Sequence, residues 1–338
     1  MSSNGALVAC QSGYEDLLSQ EVAGLGHTVQ ETGPGWVLTQ GPLESLGSSA
    51  FAHACLDNPT TVSGEKVNEL AQGIFDIFAS GIRGERLEGA WPCLFGSSHE
   101  MPGLGRRTAS VEAAFMELLR KKLGRLARLA SQDRPRLGQA RGLFVWFTDF
   151  GRAQVSRSAS FFGQCRMADD DAAPSRSYLK VEEAYALLGC EPGPGQTVCD
   201  LGAAPGGWSY SAAKRGASVV AVDNGLLKGG ALGNPLIAHR TDDAFGFKAT
   251  REARFDWLFC DMLDDPHHIL QSIVQPWLAG GWCRNYVINI KFGRVVPVSF
   301  LGDMRSPESP FVKYSSFYRI SHLYHDREEF TVVGRVAD

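Results

Sequence analysis

An α/β architecture with a doubly wound, mostly parallel sheet, preceded by a smaller α+β region, is what the sequence predicts, and three observations predict it. From residue 198 onward short apolar strands alternate with helical segments. A glycine-rich turn joins the first of those strands to the first following helix, and a carboxylate, Asp223, ends the next strand. Ahead of this stretch, strands and helices follow one another without that regular alternation.

Residues 1–60 form the first expected unit. Its elements are a strand over Ala6 to Cys10, a helix over Tyr14 to Val22 from the spacing of Leu17, Leu18 and Val22, and a strand over Trp36 to Thr39 between glycine-rich turns. Residues 61–165 repeat the pattern at larger scale, with helices over Glu65 to Phe78 and Ser110 to Leu129 and an apolar strand over Gly142 to Thr148. Residues 166–174 are polar and aperiodic, with Asp169, Asp170 and Asp171 ahead of a proline, and read as a linker. Residues 175–338 carry the alternating pattern. Strands are expected over Val198 to Leu201, Ser218 to Val222, Asp256 to Cys260, Val287 to Ile290 and Phe330 to Val333. Helices are expected at Lys180, over Trp208 to Arg215 and over His267 to Leu278.

Composition narrows the classes. Of 338 residues 44% are hydrophobic and 21% charged, and 19 Phe, 7 Trp and 8 Tyr supply ample core, which excludes wholesale disorder. The longest apolar runs, such as Leu143 to Phe147, are far too short to span a bilayer. The first thirteen residues lack the basic flank and apolar stretch of an export signal, so a cytoplasmic protein is expected. The eight cysteines stand nine or more positions apart, which excludes CxxC pairs and local zinc knuckles. They are expected reduced and mostly buried, with no metal.

The net charge of −4 hides a strong asymmetry. Residues 1–82 carry one basic residue and nine acidic ones, a net −8. Residues 104–157 carry twelve basic residues (Arg106, Arg107, Arg120, Lys121, Lys122, Arg125, Arg128, Arg134, Arg136, Arg141, Arg152, Arg157) against four acidic ones, a net +8. Such a stretch is the footprint expected of a phosphate-binding surface, and RNA is the expected partner.

The turn Asp200-Leu-Gly-Ala-Ala-Pro-Gly-Gly-Trp208 follows a strand and opens a helix, the context that separates a nucleotide site from a chance glycine cluster. Gly202, Gly206 and Gly207 let the backbone turn sharply and approach a ligand closely. The spacing is not G-x-G-x-x-G, which disfavours a nicotinamide dehydrogenase. Asp223 is well placed for ribose hydroxyls. Together these features resemble the S-adenosylmethionine site of class I methyltransferases. Asp243, with Asp242 as its alternative, would lie in the loop after the third strand, where such enzymes hold adenine. Asp261 would lie at a strand's C-terminal end, facing the ligand crevice.

Two kinds of methyl acceptor are disfavoured by the residues after this strand. No Asn/Asp-Pro-Pro-aromatic turn follows this strand, since the sequence reads Cys260-Asp261-Met262. Cys260 lacks the neighbouring proline of a cytosine-C5 nucleophile and reads as core. Four polar groups remain: Lys180, Asp261, Lys291 and Glu329. The two lysines lie flush against apolar segments, where an unpaired ammonium would be costly, and the two acids would satisfy them in a mutual cluster.

The Lys-Asp-Lys-Glu set, the glycine-rich turn, the entry Ala-Pro-Ser-Arg-Ser-x-Leu-Lys and the ending Leu-Tyr-His-Asp-Arg-Glu-Glu together resemble the ribosomal RNA large-subunit methyltransferase M family, within the wider group of FtsJ-like ribose 2′-O-methyltransferases. The resemblance is strong over about residues 172 to 334 and weaker at the front, where Gly13-Tyr-Glu and Gly35-Trp-Val stand. It implies a ferredoxin-like unit and a THUMP RNA-binding domain there, S-adenosylmethionine as donor, and the 2′-hydroxyl of a cytidine in large-subunit rRNA as acceptor. It places Ser177, Ala204, Pro205, Gly206, Gly207, Asp223, Asp243 and Asp261 around the cofactor and Lys291 as proton acceptor, and the remaining turn residues Asp200, Gly202 and Trp208 are expected at the same site. Another RNA, such as a tRNA or a cap, would use the same four polar groups, and a catalytically idle RNA-binding assembly factor stands as the alternative of a different class. Between Lys291 and Glu329 relatives carry a long helix, whereas Pro297, Pro307 and Pro310 would break one here, so a loop is expected.

Overall fold

The computed structural model describes residues 5–249 and 254–337. They form two compact units that divide between Gly163 and Gln164.

The first unit is built on one nine-stranded sheet. Its strands are β1 (Gly5–Ala9), β2 (Thr28–Gly33), β3 (Trp36–Gln40), β4 (Ala54–Asp57), β5 (Thr60–Ser63), β6 (Trp91–Ser97), β7 (Ala130–Ser131), β8 (Leu137–Asp149) and β9 (Arg152–Phe162). They run in the order β2-β3-β1-β4-β9-β8-β6-β7, with β5 also paired to β9. The helices are α1 (Glu15–Gly24), α2 (Val67–Gly81), α3 (Leu104–Lys122) and α4 (Gly124–Leu129). The two expected front pieces share this sheet, because β4 pairs antiparallel with β9, Ala54 opposite Phe161. Strand β8 explains how one sheet serves two cores. Its period-2 alternation sends Leu143, Val145 and Phe147 to a face packed with Leu70, Ile74, Phe78, Val111, Phe115 and Leu119. Phe144 turns the other way, to Leu7, Trp36 and Phe161. Helix α3 buries Leu104, Thr108, Val111, Phe115 and Leu119, a stripe at helical spacing. It therefore starts well before the expected Ser110, and it ends where Leu123 leaves helical geometry at φ −139° and ψ 53°.

The second unit runs α5 (Tyr178–Leu188), β10 (Thr197–Leu201), α6 (Gly207–Lys214), β11 (Ser218–Val222), β12 (Ile237–Arg240), β13 (Phe255–Cys260), α7 (Pro266–Ile269), α8 (Gln275–Ala279), β14 (Cys283–Lys291), α9 (Pro297–Arg305), α10 (Pro310–Tyr314), β15 (Ser315–Ser321) and β16 (Glu329–Val336). Residues 270–274 join α7 to α8 as a π turn, so the expected single helix from His267 to Leu278 is a continuous rod with a wider waist. The sheet order is β12-β11-β10-β13-β14-β16-β15. The first five strands are parallel, and β16 runs antiparallel to both β14 and β15. Strand order reverses beside β10, which creates the switch-point crevice at the C-terminal strand ends. The core between sheet and helices contains Trp208, Trp257, Phe259, Val287 and Val333.

Two expectations change. The stretch 166–174 belongs to the second unit, where Asp170 accepts a hydrogen bond from Tyr210 (3.0 Å) and pairs with Lys214 (2.5 Å), both on α6. The proline-bearing segment after Lys291 is not a loop. Pro297 and Pro310 sit in the first turns of α9 and α10, where a missing N–H costs nothing, so the prolines divide the segment into two helices. Six of the eight cysteines are buried and all are free.

Candidate active site

The C-terminal ends of β10, β11, β13 and β14 converge on the crevice, and the sequence loads each end with polar groups. After β10 the backbone enters the left-handed region at Gly202 (φ +75°) and Gly206 (φ +105°), with a cis bond between Ala204 and Pro205. A Cβ on Gly202 would lie 2.7 Å from Met262 Cγ, and one on Gly206 would lie 2.6 Å from Ala231 Cβ. Gly207 has the same constraint from Ser177 Oγ at 2.9 Å, which ties the turn to the start of α5. Both strained positions accept only glycine comfortably.

Asp200, at the end of β10, is fully buried. Its Oδ2 accepts from Ser209 Oγ at 2.6 Å, while Oδ1 has no partner among the described residues. Burial pushes its pKa up to about 7, against the opposing hydrogen bond from Ser209. Asp223 accepts the Ala204 N–H (3.0 Å) and the Gly225 N–H (2.7 Å), so it fastens the glycine-rich turn to the end of β11. Ser177 Oγ lies 2.7 Å from Ser175 Oγ. Asp243 is exposed in the loop after β12 and accepts the Phe245 N–H (3.1 Å), closing a tight turn, and Asp242 is exposed beside it. Trp208 is anchored within the protein. Its ring is buried against Phe259 (5.8 Å between centroids) and its Nε1 donates to the Ser177 carbonyl (2.9 Å), so it supports the turn from beneath.

The four acceptor-side groups form one chain of ion pairs. Lys291 Nζ lies 2.5 Å from Asp261 Oδ1 and 2.5 Å from Glu329 Oε2, and Glu329 Oε1 pairs with Lys180. Strand register builds this cluster, since Lys291 stands opposite Glu329 across β14 and β16. Asp261 sits where β13 ends, and Lys180 lies in the first turn of α5. Burial alone would lower the Lys291 pKa, but Asp261 and Glu329 outweigh it and raise it above the usual lysine range. Burial likewise works against the Glu329 carboxylate, and Lys291 and Lys180 reverse it, holding its pKa below the ordinary value. As it stands the cluster holds Lys291 as an ammonium.

A further layer was not anticipated. Asn289, two residues before Lys291 and so on the same strand face, accepts from Lys291 Nζ through its Oδ1. Its Nδ2 donates to Asp326 Oδ1 (3.2 Å) and Thr331 Oγ1 (3.1 Å). The clue lay in the strand Val287-Ile-Asn-Ile-Lys291, whose polar residues recur with period 2 among apolar ones. Asp326 comes from a loop and carried no such signal.

In the first unit the basic stretch is only partly available to a partner. Arg157 donates to the Gly142 carbonyl and pairs with Glu85, Arg152 pairs with Glu31, and Arg107 bonds the Phe150 carbonyl. Arg106, Arg120, Lys121, Lys122, Arg125, Arg128, Arg134 and Arg136 are exposed, and Arg141 is exposed but pairs with Glu85. Among the described residues no cluster of three or more His, Cys, Asp or Glu could hold a metal, and no helix is long and apolar enough to cross a membrane.

Residues 173–296 match the FtsJ-like methyltransferase family. The chain is 36% identical over 245 residues to a ribosomal RNA large subunit methyltransferase M of Laribacter hongkongensis, covering 68% of this chain and 66% of that protein. It is 38% identical over 187 residues to the protein of the same name in a Marinomonas species, covering 52% of each chain. A third, from Halorhodospira halophila, is 40% identical over 166 residues, covering 48% of this chain and 47% of that protein. The matches thus span between about half and two thirds of the length of these relatives.

Proposed function

We propose that this chain, which belongs with the ribosomal RNA large subunit methyltransferase M proteins, transfers a methyl group from S-adenosylmethionine to the ribose 2′-hydroxyl of a cytidine in large-subunit rRNA. The observation that carries the reading is the ion-paired cluster Lys180, Glu329, Lys291 and Asp261 at the strand ends next to the glycine-rich turn. The residues of that turn suit the cofactor. Gly202 and Gly206 allow the sharp turn, since a Cβ on either would meet Met262 or Ala231, and Asp200 Oδ1 is a buried acceptor with no donor among the described residues. Asp223 would take the ribose hydroxyls and the loop of Asp243 the adenine.

When bound, S-adenosylmethionine supplies a methyl group already activated by its sulfonium. The chain's own task is alignment and proton removal, since a ribose hydroxyl is a weak acid. Asp261 and Glu329 hold the Lys291 nitrogen in place, and Lys180 offsets part of the charge on Glu329. Lys291 takes the hydroxyl proton only after losing one of its own, so the cluster must relinquish a proton as substrate enters.

The exposed arginines and lysines of residues 104–157 would bind rRNA phosphates, which gives affinity without reading sequence. The front unit would act as the ferredoxin-like and THUMP RNA-binding part, in a cytoplasmic protein. The deciding experiment incubates the chain with S-adenosylmethionine and unmodified large-subunit rRNA and maps ribose methylation. One new 2′-O-methylcytidine is expected. Methylation of tRNA or capped RNA instead would overturn the substrate, and RNA binding with no transfer to any RNA would leave the idle binding protein.

A further inference from the structure

We infer that Asn289 is a positioning residue for Lys291: its side-chain carbonyl, locked in orientation by Asp326 and Thr331, fixes the direction from which the amine accepts a proton. The inference rests on the reading of Lys291 as base and adds a residue to it.

An ammonium has three N–H bonds, and all three of Lys291 are taken, by Asp261, Glu329 and Asn289. The three acceptors differ in exposure. The Asn289 residue is fully buried, the Glu329 side chain is 7% exposed, and the Asp261 side chain is 17% exposed at the crevice. Two acceptors therefore anchor the nitrogen from inside the sheet, and the third direction alone opens toward incoming substrate. A hydroxyl that displaces Asp261 meets the nitrogen along that direction, and the lone pair created by loss of that proton points at it.

Asn289 can serve this way only in one amide orientation. A flip would turn its NH2 group against the ammonium. Asp326 forbids the flip, because its carboxylate accepts from Nδ2 at 3.2 Å and is itself held by the Leu323 N–H (2.9 Å) and by Thr331 Oγ1 (3.0 Å). Nδ2 also donates to Thr331 Oγ1, which stands opposite Asn289 in the β14–β16 register. An amide in this place supplies direction without charge. A third carboxylate would hold the Lys291 proton more firmly and oppose its release.

The charged and titratable groups that face Lys291 or its direct partners come from every surrounding element. They are Asp200 on β10, Cys260 and Asp261 at the end of β13, Lys180 on α5, His322 and Asp326 in the connection before β16, and Glu329 on it. None occupies the position of Asn289, so the exchange of its amide for a carboxylate changes a term that no neighbour supplies.

The test compares wild type, Asn289→Asp and Thr331→Val. Turnover is followed from pH 6.5 to 10, alongside S-adenosylmethionine affinity, and Lys291 is titrated by NMR of its labelled Cε in a series carried beyond the usual lysine range, to about pH 12. Asn289→Asp is expected to move the alkaline rise of turnover and the Lys291 midpoint upward by about one unit or more. That is roughly a tenfold loss at neutral pH, recovered as pH rises, with cofactor affinity within about twofold. Thr331→Val, which keeps side-chain volume and the amide, is expected to lower turnover several-fold without moving the profile. Superimposable pH profiles and Lys291 midpoints for wild type and Asn289→Asp would overturn the inference, and so would an unchanged Thr331→Val rate if Asn289→Asp does not fold. If wild type transfers no methyl group, the functional reading fails, while the NMR midpoints still decide whether Asn289 controls Lys291.

Discussion

Lys291 on β14 stands directly opposite Glu329 on β16, and the two side chains meet at 2.5 Å, so the antiparallel ladder sets the geometry of the ion pair at the centre of the site. An antiparallel register alternates faces strictly, and a slip of one residue would turn the pair to opposite sides of the sheet. The cluster is thus as rigid as the sheet that carries it.

Replacement of Lys291 by methionine keeps the aliphatic stem and removes the ammonium. Methyl transfer is expected to fall by at least about a hundredfold, the scale of a lost general base, with S-adenosylmethionine affinity nearly unchanged by calorimetry. Normal turnover in this variant would remove Lys291 from the mechanism.

Gly202 tests the turn. A methyl group there meets Met262 Cγ at 2.7 Å and Met262 N at 3.3 Å, on a backbone already at φ +75°. Gly202→Ala is expected to destabilise the chain by at least roughly 1 kcal/mol in denaturant unfolding and to weaken cofactor binding. Unchanged stability and unchanged affinity together would show that the turn relaxes at no cost.

The RNA-facing role assigned to the first unit rests on exposed charge. Alanine at Arg120, Lys121, Arg128 and Arg136 together is expected to reduce the slope of log affinity against log salt by up to about 3 for single-stranded RNA. Cofactor affinity serves as the control. An unaltered slope would move the phosphate contacts elsewhere.

His322 offers a pH test of the fold. Burial pushes its pKa down to about 4, against the opposing effects of the Arg327 carbonyl that its Nε2 faces at 2.8 Å and of nearby Glu329. In the unfolded chain it returns to near 6.5 and binds more protons than the folded state between those values. Its contribution to stability is therefore complete above about pH 6.5 and is lost as pH falls toward 4, a change of roughly 3 kcal/mol at most. His322→Gln keeps a donor for the Arg327 carbonyl. Wild type is expected to lose melting temperature relative to this variant from pH 7 to 4.5, and parallel curves would contradict the assignment.

The second unit is largely legible in the sequence because parallel strands buried on both faces appear as short continuous apolar runs, as Val219 to Val222 and Trp257 to Cys260 do. The four charged groups of the cluster were legible for a related reason, since charges adjoining such runs need partners. The first unit was harder. Strands β2, β5 and β9 are rich in Thr, Ser, Gln and Arg, and their pairing depends on partners far away in the chain, such as Thr60 with Val155. No local pattern reports that. Asn289 was passed over because an uncharged amide inside a strand raises no cost that demands a partner, and Asp326 because a loop has no periodicity. The place of Trp208 after the glycines says nothing of its packing, in which the buried ring rests on Phe259 and bonds the Ser177 carbonyl.

The two short helices α9 and α10 have a consequence for how this protein can change over generations. They occupy the stretch that links the two strands bearing Lys291 and Glu329, while the pairing of those strands is fixed by the ladder itself. Lengthening a closed connection adds little conformational cost, about 0.6 kcal/mol per doubling. Length can therefore vary at the exposed positions of this connection, while Phe300, Leu301, Met304 and Phe311 keep the two helices seated on the core and the ladder keeps Lys291 opposite Glu329.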